Sequence, residues 1–151
     1  AERPWLVELG RLERARIELF DGPDAEPLTL DELRTRAPEE FVTLALPLVP
    51  SHRFLEVGHA VDDVWRAAEN DQPIEPPAAA SCTLLVWRHD VTVFHRRLDE
   101  LERDALVRAR DGAPFGVICD RVAESMPVEE AGPAAFQLLA RWVGDGIIAR
   151  S

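Results

Sequence analysis

Four histidines and two cysteines carry the imidazole and thiol chemistry of this sequence, and their positions are scattered: His52, His59, His89 and His95, with Cys82 and Cys119. None of the histidines stands at a paired spacing with either cysteine, so no metal-ligand pattern forms. His89 falls in a turn between two apolar runs and His52 just after Pro50-Ser51, where solvated histidines are expected. The acidic pairs Glu39-Glu40, Asp62-Asp63 and Glu129-Glu130 fall near helix starts. Carboxylates there complement the helix dipole, which is a more common reason for such pairs than proton transfer. Glycine-rich phosphate loops, nucleophile elbows and the H-E-x-x-H and C-x-x-C patterns are all missing from the sequence. The residues that could do chemistry therefore predict no enzyme, no metal site and no cofactor. The rival reading, a small metal enzyme using His52 or His59 with Cys82, would show stoichiometric metal.

The elements that would carry these residues can be read from periodicity. Pro4 at a first-turn position precedes Trp5, Leu6, Leu9, Leu12, Ile17, Leu19 and Phe20, predicting a helix from Pro4 to Phe20 that Asp21-Gly22-Pro23 stops. Glu13 and Arg16 point toward that apolar face three residues apart, either as a structural ion pair or as a polar handle for a partner. Thr29-Leu30-Asp31-Glu32 is a capping box for a short helix to Arg36. Phe41 to Val49 and Arg53 to Val57 read as a hairpin about Pro50-Ser51. Val61, Val64, Trp65 and Ala68 predict a helix through Glu69.

Asn70 to Ala80, with Pro73, Pro76 and Pro77 and then three alanines, is the best linker candidate. It suggests an N-terminal helical and hairpin part over 1–72, a linker over 73–80 and a second part over 81–151. Charge divides at the same place. The net charge is -11 overall, -9 up to Ala80 and -2 after it. The acidity argues against nucleic acid or an anionic membrane as the partner of the first part. No run approaches the roughly 20 apolar residues of a membrane span, and no signal peptide opens the chain, so a cytoplasmic location is expected. Cys82 and Cys119, each in an apolar run, are expected to be reduced core residues.

After the linker, Thr83 to Trp87 and Val91 to Arg97 flank Arg88-His89-Asp90 as the clearest hairpin. Asp99 with Glu102 opens a helix carrying Leu101, Ala105, Leu106 and Ala109. Pro114 opens a second helix. Pro133 opens a third, striped with Ala135, Leu138, Leu139, Trp142 and Val143, and Ile147-Ile148 closes as a short strand. The fold class expected is α+β, with a winged-helix-like second part of a hairpin and three helices. Such a plan has two uses. As a DNA-binding transcriptional regulator it would place Arg96, Arg97, Arg103, Arg108 and Arg110 on phosphates. Its groove-entering helix, however, offers only Gln137 and Arg141. As a peptide-recognition module it would add an extended peptide to the strand 91–97, with Thr92, Phe94, Arg96 and Arg97 on the strand and Gln137 and Arg141 on the third helix lining a mildly basic cleft.

Two sets of residues carry a family resemblance. The first comprises Trp5 to Glu13, Phe20-Asp21, Pro27-Leu28, Leu48 to Leu55 and Val61-Asp62-Asp63-Val64-Trp65-Arg66-Ala67. The second comprises Leu84-Leu85-Val86-Trp87-Arg88, Val93 to Leu98 and Leu138 to Ile148, which ends in Asp145-Gly146-Ile147-Ile148. Together they resemble the HvfC/BufC-type family, once labelled putative DNA-binding proteins and related to the methanobactin partner MbnC. The second set is also similar in plan to PqqD-like peptide recognition elements. The resemblance implies a non-catalytic accessory subunit that binds the leader of a ribosomally made precursor peptide. It further implies pairing with a multinuclear non-heme iron oxidative enzyme, the iron belonging to that partner. Glu13, Arg16, Trp65 and Trp87 are the residues expected at the partner interface. The family's further N-terminal helical region has no counterpart in these residues, and the chain opens in mid-pattern at Arg3-Pro4-Trp5, as a piece of a longer protein would.

Overall fold

In the computed structural model, which describes residues 3–150, the chain forms helices and one three-stranded antiparallel sheet, an α+β fold. It divides into two compact units. The first is Ala1–Gly22 with Ser51–Asp99, and the second is Pro23–Pro50 with Glu100–Ser151.

The first unit contains α1 (Pro4–Phe20), β1 (His52–His59), α2 (Val61–Glu69), β2 (Ala79–His89) and β3 (Thr92–Leu98), with strand order β1-β2-β3. β1 pairs with β2 from His52↔Trp87 to Val57↔Cys82, and an irregularity follows before His59↔Ala79. The expected division at 73–80 does not coincide with the compact units. β2 begins inside the Pro/Ala segment, Ala60 N–H bonds the Ala78 carbonyl, and the β1–β2 ladder joins residues from both sides of it.

One face of the sheet is covered by α1 and α2 around Leu12, Ala15, Leu19, Leu55, Val57, Val61, Leu84, Val86 and Val93. The buried stripe of α1 is narrower than its hydrophobic residues suggested. At about 100° per residue, Ile17 lies roughly 140° around the helix from Leu12, and Ile17 and Phe20 are exposed.

The second unit contains α3 (Leu30–Arg34), a 3-10 turn at Pro38–Glu40, α4 (Glu100–Arg110), α5 (Phe115–Ala123) and α6 (Val128–Gly144). Thr29 caps α3, its hydroxyl accepting from Glu32 N–H at 3.2 Å. The hairpin expected about Pro50-Ser51 does not form. Pro47 has no donor for a ladder, and residues 42–49 make their main-chain bonds within this unit. Val49 N–H donates to Ile147 O and Ala149 N–H to Pro47 O, while Phe115 and Gly116 N–H reach Leu44 and Val42 O. Ile147-Ile148 is therefore held by a bridge to Leu48, and Ala149 by one to Pro27. α6 starts at Val128 rather than Pro133, which lies inside it. Starting there places Glu129 and Glu130 in the first turn, where they favour the dipole. Trp142 is fully buried, and its Nε1–H donates to Glu102 Oε2 at 2.9 Å.

Two glycines test this packing. A Cβ on Gly116 would stand 2.7 Å from the Val42 carbonyl oxygen, whereas one on Gly132 would meet nothing within 4 Å. Gly116→Ala is expected to lower unfolding free energy by about 1–3 kcal/mol. Gly132→Ala, inside α6, is expected to raise it by about 0.5–1 kcal/mol. Urea denaturation followed by circular dichroism measures both.

Candidate functional site

A three-stranded sheet has two edges, and α1 treats them differently. Within β1, the residues whose main-chain groups face away from β2 include Glu56 and Gly58, as the hydrogen-bond alternation of the ladder requires. Both are covered by α1. Arg11 Nη1 donates to Glu56 O at 3.2 Å, and Glu8 Oε2 accepts from Gly58 N–H while its Oε1 accepts from His59 Nδ1 at 2.7 Å. Partial burial works to raise the Glu8 carboxyl, but the Gly58 N–H and His59 outweigh it and hold it below its usual range. α1 thus covers the β1 edge at Glu56 and Gly58.

Among the described residues, the β3 edge makes one main-chain bond outside the sheet, at the Val93 carbonyl. His89↔Thr92 closes a two-residue loop at Asp90-Val91, with Asp90 at φ 57°, a value that asparagine and aspartate tolerate in hairpin turns. A pair flanking such a loop exchanges both its hydrogen bonds, so Thr92, Phe94 and Arg96 bond to β2. Val93, His95 and Arg97 then turn their N–H and C=O groups outward. The Val93 carbonyl accepts from Arg16 Nη2 at 2.9 Å, as an outward-facing oxygen should.

Arg16 organises this edge. Its Nη1 donates to His95 Nδ1 at 2.8 Å, and its guanidinium carbon lies 4.2 Å from the centre of the Trp65 ring, which meets the His95 ring edge-on at 4.6 Å. An arginine can only donate, so His95 Nδ1 is an acceptor and the ring is neutral with its proton on Nε2. Burial, with the Arg16 charge next, pushes His95 down to about 4. Glu13 is exposed and forms no pair with Arg16 among the described residues. The ion pair considered for these two gives way to an arginine bonded to two neutral acceptors. Beside it, Ile17, Phe20 and Val91 are exposed and line a shallow groove with Asp21, Thr92 and Val93.

The other expected site residues are placed as follows. Thr92 is exposed, and Phe94, 42% exposed, stacks on Trp87 with ring centres 5.5 Å apart. Arg96 lies over the Trp87 ring at 5.9 Å. Arg97 is engaged by carboxylates. Its Nε and Nη2 bond Asp62 at 2.7 and 2.9 Å, and Nη2 also lies 3.0 Å from Asp63, two acids in the first turn of α2. Gln137 and Arg141 are exposed on α6 in the second unit, not in the unit that holds β3. Of the residues expected at a partner interface, Trp65 is half-buried against Arg16 and Trp87 is 4% exposed. Among the arginines weighed as phosphate contacts, Arg108 pairs with Asp104 and Arg110 with Asp111.

Sequence reasoning missed the Arg16–His95–Trp65 cluster and the bonds between Arg97 and the two aspartates. The alternation of Val91, Val93 and His95 on one strand face was the available signal for the first, and the Asp62-Asp63 pair for the second. Cys82 and Cys119 are free and half-buried, and burial raises both thiols. No group of three or more metal-ligating side chains occurs among the described residues, and no helix there is long and apolar enough to cross a membrane. No family model, curated protein or solved structure matches the chain.

The depressed His95 pKa has a signed consequence. Between its unfolded value of 6.5 and about 4, the unfolded chain takes a proton that the native state refuses. Stability therefore falls as pH drops through that window. His95→Gln is expected to flatten this part of the profile, measured by denaturant midpoints from pH 7 to pH 4. An unchanged slope would remove His95 as its source.

Proposed function

We propose that this protein is a non-catalytic accessory subunit of peptide maturation. It captures the leader of a ribosomally made precursor peptide as an added strand on β3 and pairs with a multinuclear non-heme iron oxidative enzyme, the iron residing in that partner. The observation that carries the reading is the outer edge of β3: Val93, His95 and Arg97 turn their N–H and C=O groups outward, and among the described residues the one outward bond there is from Arg16 to the Val93 carbonyl, whereas Glu8 and Arg11 of α1 cover β1 at Gly58 and Glu56. An added strand would take its affinity from these main-chain groups and its specificity from side-chain contacts on either side. Arg96 and Phe94 offer one such side, and the groove of Ile17, Phe20 and Val91 another. The identity of the enzyme partner rests on the family resemblance of the sequence. Such work belongs in the cytoplasm, where precursor peptides are made.

Co-expression with an iron oxidative enzyme encoded beside it, followed by size exclusion at micromolar concentration, tests the pairing. Co-elution is expected, and separate elution contradicts it. Phe94→Ala is expected to weaken leader binding about 2- to 12-fold, since losing an aromatic contact costs about 0.5–1.5 kcal/mol. The Trp87 backbone pairing should hold the strand in place, which circular dichroism checks. Unchanged affinity would exclude this face of β3. Binding to duplex DNA that falls steeply with salt would instead establish the regulator reading.

A further inference from the structure

Several arginines of the first unit face carboxylates, while the exposed Arg11 donates to the Glu56 carbonyl. Arg53 and Arg14 bond Glu18, Arg66 bonds Asp63, and Arg97 bonds Asp62 and Asp63. Arg16 is different. It is half-buried, yet its bonds go to the neutral His95 ring and to a main-chain carbonyl, and its third contact is the Trp65 ring. Burial works against its charge, and Glu69 is the one acid that offsets this, acting at a distance without a bond. A guanidinium has five N–H donors in a planar fork suited to carboxylate, and two of the nitrogens here hold single neutral acceptors. Exchanging a neutral acceptor for a carboxylate strengthens such a bond, because charge-assisted pairs are roughly twice as strong as neutral ones.

The carbonyl that Arg16 occupies is the first outward-facing acceptor of β3, the oxygen an arriving strand must use. We propose that Arg16 is both a latch on the β3 edge and the group that reads an acidic residue in the captured peptide. In the free protein it caps Val93 O. When the peptide pairs with β3, a peptide N–H takes over that oxygen, and the released guanidinium binds a glutamate or aspartate of the peptide.

The surroundings specify the rest of the peptide. Ile17, Phe20 and Val91 are exposed by 69%, 58% and 74% and share the groove with Arg16, so large apolar side chains fit next to the acid. Asp21 also lines the groove, five residues beyond Arg16 in sequence. That is roughly 7.5 Å along a helix axis. One end of the groove thus attracts a carboxylate and the other repels it, which gives the peptide a direction. The ligand class is an extended peptide with an acidic residue beside apolar ones. This inference rests on edge capture as the protein's function, and its test separates the two.

The probes are a short synthetic peptide of alternating Thr and Val containing one Leu-x-Glu step, and the same peptide with Gln in place of Glu. Binding is followed by NMR at the Val93 and His95 amides and the Arg16 side-chain Nε–H, with circular dichroism confirming the fold of each variant. Wild-type protein should bind the Glu peptide about tenfold more tightly than the Gln peptide, with the Arg16 signal moving only for the former. Arg16→Met should bind the two alike, and should bind the Gln peptide more tightly than wild type does, because the cap on Val93 O is gone. If Arg16→Met does not fold, Arg16→Lys takes its place and should retain a reduced Glu preference. Equal wild-type affinities, with the β3 amides still shifting, would overturn the carboxylate reading and leave edge capture standing. Weaker binding of the Gln peptide to Arg16→Met than to wild type would overturn the latch. If neither peptide moves the β3 amides, edge capture itself fails, and this inference fails with it.

Discussion

The burial of Leu12, Ala15 and Leu19 against one face of the sheet sets the position of α1, and much of the first unit follows from that placement. Each fully buried leucine contributes on the order of 1.5–3 kcal/mol, and the stripe fixes the helix in rotation as well as position. Glu8 and Arg11, on the N-terminal half, are thereby brought to the β1 edge, and Arg16, on the C-terminal half, to the start of β3. A sheet edge with unpaired N–H and C=O groups invites pairing with other chains. Here α1 covers β1 at Glu56 and Gly58 and β3 at the Val93 carbonyl.

Charge in the first unit is arranged in the same way. Asp62 is 3% exposed, yet it sits in the first turn of α2 facing both Arg97 nitrogens, so its burial is compensated by a fork-shaped partner. That pairing ties β3 to α2 and removes Arg97 from the pool of cations available to a ligand. His95 remains neutral because burial and the adjacent arginine both disfavour its proton. The net charge of -11 consequently says less about partners than the state of one side chain. An acidic molecule can still present a single arginine whose local environment favours a carboxylate, and the rest of its surface charge then selects against nonspecific anions.

Local structure was legible in the sequence wherever one residue type governed it. Pro4 and the Asp21-Gly22-Pro23 stop bounded α1 correctly, Thr29 and Glu32 made the expected cap, and the β2–β3 hairpin formed about Asp90. The α+β class follows from these elements. What could not be read was long-range pairing. Phe41 to Val49 has the alternation of a strand, but its partners are Ile147 to Ala149 and the start of α5; Leu48 and Ile148 are 100 positions apart, far outside any turn signal. The proline-rich segment looked like a boundary because composition changed there, although β2 begins at Ala79 and pairs across it. At the candidate site, Thr92, Phe94, Arg96 and Arg97 were correctly assigned to one strand. Their hydrogen-bond directions depend on register, which the sequence did not reveal, and Gln137 and Arg141 belong to the other compact unit.

The central claim is that β3 accepts a strand on its outer edge, and amide hydrogen exchange tests it most directly because edge pairing leaves an alternating signature. Adding a leader peptide should slow exchange at Val93, His95 and Arg97, whose N–H groups face outward, and leave Thr92, Phe94 and Arg96 unchanged, since β2 already protects them. Uniform protection along β3, or protection confined to another element, would contradict the account.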